Sequence, residues 1–334
     1  INSVQMPMRD YLEKKSDGSK YWGTPFDDMS TSYTPQYAMM HGTNAYTVEA
    51  PNANVDAVYA LEYGFIGNAD FIAANKDRMF LNQLERFRRG IENIDADTIR
   101  PYYVNQYDEA GAEADTFRPQ NNENHNFFPE YYVIPMDTQS QQDRAAASKT
   151  IALLLHNGVK IDQLNKDVTV GDKTYAAGTV IVNMHQAKRN MANCVLYPNL
   201  VISDWAQYTL YSEPVTNFAE FRGFDMDTIR KVGVFAADAM DQITEAPKTA
   251  TVYEGQGCIS IIKNNGLDAI NAVNALLKDG KNVGLITEGE HAGSYVVAAA
   301  DLSTVQDKWT LDVVSTEEAP KAKKLNNAIK AYVP

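Results

Sequence analysis

The stretch that decides how this chain is interpreted is SYTPQYAMMHGTNAYTVEAP, residues 32–51. Its first part carries tyrosines and a proline and predicts a loop, which Gly42 closes with a turn. Residues 44–50 favour extended backbone and predict a short buried strand. Glu49 stands at the end of that strand, where a carboxylate is costly unless it is paired, solvated or used in chemistry. Glu49 is therefore the first candidate catalytic residue.

Composition excludes several classes of partner. The net charge is −13 over 334 residues, so there is no basic excess to neutralise nucleic acid or an anionic membrane. The sequence has no run of eighteen apolar residues, so it does not predict a membrane-spanning helix. The two cysteines, Cys194 and Cys258, are too few for a disulfide framework, and we expect two free buried thiols rather than one bridge.

Four segments follow one another along the chain. Residues 1–95 end in a predicted helix from Asn54 to about Asn93, whose apolar residues recur at helical spacing. Residues 96–130 are rich in proline and polar residues and predict a linker or loop layer. Two α/β units are expected after it, over 131–232 and 233–334.

These two units read as an internal repeat. The first copy has predicted strands at 131–135, 159–164 and 175–182, with a helix over about 142–157. The second copy has strands at 258–263, 282–286 and 293–297, with a helix over 267–278. Each helix stops at a glycine, Gly158 or Gly280, which is typical of a helix C-terminus. The pattern predicts an α/β fold with two β-α-β-β units.

Few residues carry recognisable chemistry. The five histidines form no His-x-x-Glu or His-Glu-x-x-His element, so the sequence contains no zinc site of that kind. A Gly-x-Ser-x-Gly element and a phosphate-binding loop are also absent from the sequence. What remains is Glu49 as a possible general base, with Tyr33, Tyr37 and Tyr46 as hydrogen-bond donors to a substrate or to a developing charge.

Residues 33–49 resemble the part of the zinc carboxypeptidases, the metallocarboxypeptidase or funnelin family, that carries the substrate-binding tyrosine and the catalytic glutamate. The carboxypeptidase-like part of the chain would be the C-terminal part of a mixed-sheet domain, and the long helix would be its last helix. Further short blocks are similar to the tail of large bacterial members: 132–135, 157–159, 177–179, 186–189 and 203–205.

The resemblance implies specific roles. Glu49 would be the general base and acid that activates zinc-bound water for attack on a C-terminal peptide bond. Tyr33 would lie on a mobile loop that closes over the peptide substrate, and Tyr37 competes for that role. Secretion or a cell-surface location would suit such a protein.

One departure from the family is serious. The family's His-x-x-Glu and later His precede the tyrosine and glutamate, and this sequence lacks them. We therefore expect the C-terminal portion of a longer enzyme: Zn²⁺ is bound in the intact parent, this chain alone holds none, and it is inactive by itself. Apolar surface left exposed in residues 1–95 would favour association between copies or docking on the repeats.

Two other functions stay open. The chain is alternatively a non-catalytic α/β binding or interaction module of a secreted or cell-surface protein, which would recognise a polysaccharide or another protein. Exposed aromatic residues would mark that module, although core packing competes as their role: Tyr102, Tyr103, Tyr131, Tyr132, Trp205, Tyr208 and Tyr211. A weaker alternative is a glycosidase that pairs Glu49 with Asp27 or Asp28.

Overall fold

The structure is a computed structural model that describes residues 33–45, 48, 50, 53–94, 123–198 and 217–326. The described helices are α1 Thr34–Met40, α2 Val55–Glu92, α3 Arg144–His156, α4 Arg189–Leu196, α5 Phe218–Arg222, α6 Leu267–Lys278 and α7 Ala299–Leu302. The first strands are β1 Tyr131–Ile134, β2 Ile161–Leu164, β3 Val168–Val170, β4 Lys173–Tyr175, β5 Val180–Asn183, β6 Asp227–Ile229 and β7 Met240–Ile243. The remaining strands are β8 Val252–Gly255, β9 Ile259–Ile262, β10 Val283–Ile286, β11 Tyr295–Ala298, β12 Asp312–Thr316 and β13 Ala322–Leu325. The fold is α/β, as predicted.

The chain forms two compact units. The first contains the described residues up to Tyr131 together with those of 183–217 and 230–232. The second contains those of 132–182, 218–229 and 233–334. No helix in the described part of the chain is long and apolar enough to cross a bilayer.

Helix α2 dominates the first unit and confirms the predicted helix over 54–93. It begins after Asn54, whose side-chain oxygen accepts a hydrogen bond from Ala57 N at 2.9 Å. It ends at Asn93, which takes up the left-handed conformation with φ 48°. The first half buries small residues at Ala57, Ala60 and Gly64.

Two local predictions for residues 33–50 need revision. Residues 34–40 form α1 rather than a loop, because Pro35 lies in the first helical turn, where its missing N–H costs nothing. The described residues 43–45, 48 and 50 are not in a strand. Tyr46, Thr47 and Glu49 lie outside the described residues, but Ala45 and Val48 on either side are not in a strand, so the predicted strand over 44–50 was wrong.

Two sheets in the second unit have the same order of strands. The first is β6-β1-β5-β2-β7, and the second is β12-β9-β11-β10-β13 with β8 added beyond β12. Corresponding strands also come in the same order along the chain, with α3 and α6 as the equivalent helices. In the first sheet β2 pairs antiparallel with β5 and with β7. In the second sheet the equivalent strand β10 pairs antiparallel with β11 and with β13. The β-α-β-β order predicted for the two copies is present in both sheets.

Both repeat helices end with the same local motif. Gly158 and Gly280 have φ values of 78° and 74°. In the first copy Val159 N donates to Leu154 O, and in the second Lys281 N donates to Leu276 O. This hydrogen bond closes the helix end and turns the chain toward the next strand, which explains why the glycines marked the helix ends in the sequence.

The second sheet covers an apolar core and ends at a charged edge. Its core includes Ile262, Val273, Leu276 and Val313, all buried. The edge strand β13 instead exposes Lys323 and Lys324 on the side of the sheet beyond β10.

The two cysteines do not form a disulfide with each other. Cys194 is buried in α4, as expected, whereas Cys258 is exposed beside β9. The prediction of a buried thiol at Cys258 was therefore wrong.

Charged side chains join the two repeats. Arg144, at the start of α3, is only 7% exposed and donates to the Asp312 carboxylate of β12 and to Ala250 O. Asn265 donates to the other oxygen of the same carboxylate at 2.6 Å. Because both charges are buried, removing one partner leaves the other uncompensated.

Arg144→Met is expected to lower the free energy of unfolding by roughly 3–5 kcal/mol, since it strands the buried Asp312 charge. The exposed pair Lys321–Glu288 offers a matched control, and Lys321→Met should cost less than about 1 kcal/mol. Urea unfolding followed by circular dichroism measures both values. Equal losses in the two variants would mean that the buried pair has no special structural role.

Candidate functional site

The two predicted substrate-binding tyrosines lie on α1. Tyr33 precedes the helix as its N-cap, and Tyr37 sits in its middle with 41% of its surface exposed. The Tyr37 ring packs against the His41 imidazole with centroids 4.6 Å apart. Lys188 donates to His41 Nδ1 at 2.6 Å, which links a cation to the exposed phenol through one imidazole.

Hydrogen bonds join residues 42–44, which follow α1, to α2. Gln83 donates to Gly42 O at 3.0 Å, and Arg86 donates to Thr43 O and to the Asn44 side chain. Gly42 has φ 91°, and a Cβ there would lie 2.4 Å from Phe87 Cζ. The positive φ favours glycine at this position, and a larger residue would also require the Phe87 ring to move. These contacts fix the start of the segment that leads to Glu49.

The predicted catalytic residue itself is not placed. Glu49 lies outside the described residues, as do Tyr46, Asp27 and Asp28. The predicted general base and the carboxylate pair of the glycosidase alternative therefore remain predictions.

The possible metal-ligating side chains of the described residues lie apart from one another. Among them, no group of three His, Cys, Asp or Glu residues is arranged to hold a metal ion. His41, the histidine closest in sequence to the tyrosines, shares its Nδ1 with Lys188, and a cation is no partner for a metal ligand.

A buried carboxylate in the first unit had no sequence signal. Glu130 is only 4% exposed and accepts hydrogen bonds from the amides of Asn93 and Asn124. Its other oxygen meets His185 Nε2 at 2.8 Å. Arg189 donates to the Asn93 side chain and to Ile94 O. We call Glu130, Asn93, Asn124, His185 and Arg189 the Glu130 cluster.

The Glu130 cluster holds the end of α2. Asn93 also donates to Pro129 O, and the Arg189 guanidinium stacks 3.8 Å from the centre of the Phe128 ring. The cluster therefore binds the left-handed end of α2 to the chain before β1 and to the start of α4. A carboxylate that orients a histidine also occurs in catalytic sites, but these hydrogen bonds support a structural role for Glu130.

The second unit contains a polar cleft of about 330 Å³. The cleft lies where β1 leads into α3 and β9 leads into α6, which are equivalent places in the two repeats. All the residues that line it have polar side chains: Thr138, Gln139, Ser140, Gln141, Gln142, Asp225, Lys263, Asn265 and Asp312.

Hydrogen bonds give the polar cleft a defined shape. Asp225 accepts from Gln142 N at 2.6 Å, and Asp225 N donates to Gln141 Oε1 at 2.7 Å. Asp312 is held by Arg144 and Asn265, as described above. The backbone and the buried groups are thus fixed, while the side chains of Gln139, Ser140 and Gln142 are exposed to solvent. Such groups can exchange water for the hydroxyl or amide groups of a ligand.

The N-termini of the two repeat helices meet near this cleft. Asp143 caps α3 by accepting from Ala146 N at 2.9 Å. A Cβ on Gly266, the N-cap of α6, would lie 1.8 Å from Asp143 Oδ2, so only glycine allows this approach. Burial raises the pKa of the Asp143 carboxyl, the bond from Ala146 lowers it, and the Asp268 charge adds to the rise.

The aromatic residues proposed to mark a binding module are core residues where they are described. Tyr131 and Tyr132 are buried in β1. Tyr102, Tyr103, Trp205, Tyr208 and Tyr211 lie outside the described residues.

Comparisons with protein-family models, with curated proteins and with solved structures give no match for this chain.

Asp143→Asn should change how stability depends on pH. A carboxyl whose pKa is higher in the folded than in the unfolded state stabilises the fold most below its unfolded pKa of about 4, and loses this contribution as the pH rises through the folded pKa. Asparagine keeps the cap without the charge. The variant should therefore gain stability relative to the wild type as the pH rises from about 4, measured by urea unfolding. A difference between the variant and the wild type that does not vary with pH would contradict the assignment.

Proposed function

We propose that this chain is the glutamate-bearing portion of a zinc-dependent carboxypeptidase that hydrolyses C-terminal peptide bonds. The observation that carries the proposal is the order of tyrosine, glycine and glutamate in residues 33–49. Zn²⁺ would be bound by residues outside this sequence, because the sequence has no His-x-x-Glu element and the described residues offer no metal site. The chain alone would then be inactive, and the enzyme would act at the cell surface or after secretion.

Three features of the first unit support this proposal. The phenol of Tyr37 is exposed, so it is accessible to a peptide. Lys188 brings a cation close to it through His41, which suits a substrate that ends in a carboxylate. Gln83 and Arg86 donate to the backbone of Gly42 and Thr43, which precede Glu49 in the sequence. A carboxylate at position 49 could remove a proton from the attacking water.

Glu49→Gln tests the role of the carboxylate in the full-length gene product, assayed on peptides with and without added Zn²⁺. Losing a general base should lower kcat by on the order of 10²–10⁴-fold. Glu62→Gln is the matched control, because it makes the same carboxylate-to-carboxamide change at an exposed position on α2. It should leave kcat unchanged. Equal activity of Glu49→Gln and the wild type, or a gene product without a His-x-x-Glu element, would refute the proposal.

The polar cleft favours a second candidate function. We propose as the alternative that the duplicated fold is a non-catalytic module that binds a polyhydroxylated ligand such as a saccharide. The two equivalent loops line the cleft with hydroxyl groups, carboxamides and one ammonium group, and Asp225 and Asp312 add carboxylates from elsewhere in the fold. Together these groups can both donate and accept hydrogen bonds.

Titration of the chain with cellobiose, chitobiose and maltose, followed by amide NMR shifts, tests this alternative. Saturable shifts should centre on residues 139–142 and Asn265. Gln142→Ala should weaken binding by about fivefold, the loss of roughly one hydrogen bond of 1 kcal/mol. Gln242→Ala, on the exposed face of β7, is the control. Shifts spread over the surface, or unchanged affinity in Gln142→Ala, would argue against the cleft as a saccharide site.

A further inference from the structure

Three of the described residues that line the polar cleft are charged, and two of them have a partner of opposite charge. Asp312 pairs with the buried Arg144 guanidinium. Lys263 Nζ lies 3.4 Å from Glu254 Oε2. The third is Asp225, which forms no ion pair with any residue that the structure describes. Within this part of the chain, the charge that the cleft leaves without a counter-ion is therefore negative.

The arginine nearest to Asp225 in the sequence contacts a different side chain. Arg222 lies three residues before Asp225, and its guanidinium stacks 4.9 Å from the centre of the Phe218 ring. Asp225 itself is exposed, and its Oδ2 accepts a hydrogen bond from Gln142 N at 2.6 Å. This bond holds the carboxylate at the cleft. Because Oδ1 has no hydrogen bond to a described residue, it can accept one from a ligand.

A further carboxylate adds negative charge to the loop that lines the cleft. Asp137 accepts hydrogen bonds from Gln139 N at 3.0 Å and from Ser140 N at 2.8 Å, and it too has no ion pair among the described residues. The whole chain carries a net charge of −13. A cation is therefore attracted to the cleft, whereas an anion is repelled.

We propose that the polar cleft binds an amino sugar, whose ammonium group pairs with Asp225 while its hydroxyl groups bond to the side chains of residues 138–142. This inference rests on the saccharide-binding alternative of the proposed function, and it adds the chemical class of the saccharide. An ammonium group has three hydrogen-bond donors and no acceptor, which suits a carboxylate with one oxygen available. A neutral saccharide would leave the Asp225 charge without a counter-ion.

Two disaccharides with the same scaffold test the inference. One is cellobiose, and the other is its glucosamine analogue, in which an ammonium group replaces the hydroxyl at the second carbon of each ring. Isothermal titration calorimetry in slightly acidic buffer, where the amines are protonated, measures both affinities. The glucosamine analogue should bind roughly tenfold more tightly, because a hydrogen bond between charged groups is stronger than one between neutral groups. Added salt should reduce the difference by screening the charges.

Asp225→Asn removes the charge and keeps an oxygen that can accept from Gln142 N. This variant should bind the two disaccharides with similar affinity. Asp172→Asn is the matched control, because it makes the same change at an exposed position in the turn between β3 and β4. It should retain the preference for the glucosamine analogue. Circular dichroism checks that both variants are folded. A preference that persists in Asp225→Asn would overturn the proposal.

The same titrations distinguish failure of this inference from failure of the saccharide-binding alternative. Equal affinity of the wild type for the two disaccharides would overturn the inference and leave the saccharide-binding alternative standing. Absence of binding to either disaccharide would overturn both. Putrescine, a diamine without hydroxyl groups, is the third ligand. If it bound as tightly as the glucosamine analogue, the cleft would recognise the charge alone, and the assignment to a sugar would be overturned.

Discussion

The duplicated fold depends on a buried contact between the starts of its two equivalent helices. Asp143 and Gly266 touch at the two helix N-termini, and Arg144, one residue further, pairs with Asp312 of the second sheet. The buried Arg144–Asp312 pair limits how far one repeat can move relative to the other. If the two charges were separated, each would be left unpaired in the protein interior, which solvates charge poorly. The loops after β1 and β9 are consequently fixed, and the polar cleft is lined by the same loops.

The sequence predicted the duplicated fold because its signals are local. Apolar strands, helices and the glycines at 158 and 280 can be read from neighbouring residues. The order of the strands within each sheet depends on pairing between distant segments, and it was not predicted. The sequence did not indicate α1, because Pro35 is typical of a loop and is also favoured in the first turn of a helix. Cys258 was misjudged because strand composition does not indicate whether an end residue is covered.

The Glu130 cluster shows why the sequence could not reveal every site. Its residues come from positions 93, 124, 130, 185 and 189, and no spacing among them is characteristic of a known motif. Asn124 even belongs to a polar run that indicated a linker. Gly42 presents the opposite case, because a residue quoted for the family resemblance has a local steric reason in this fold. A glycine at this position is explained by its backbone conformation alone, so it adds little evidence for the family resemblance. The resemblance therefore depends mainly on Glu49.

The lysines of β13 affect how the second sheet behaves toward other chains. Among the described strands β13 pairs only with β10, and an edge of this kind is a template for strand addition and fibril growth. Lys323 and Lys324 would place positive charge against the same residues of any identical strand that stacked in register on it. Repulsion of this kind disfavours the addition of an identical strand at this edge of the second sheet.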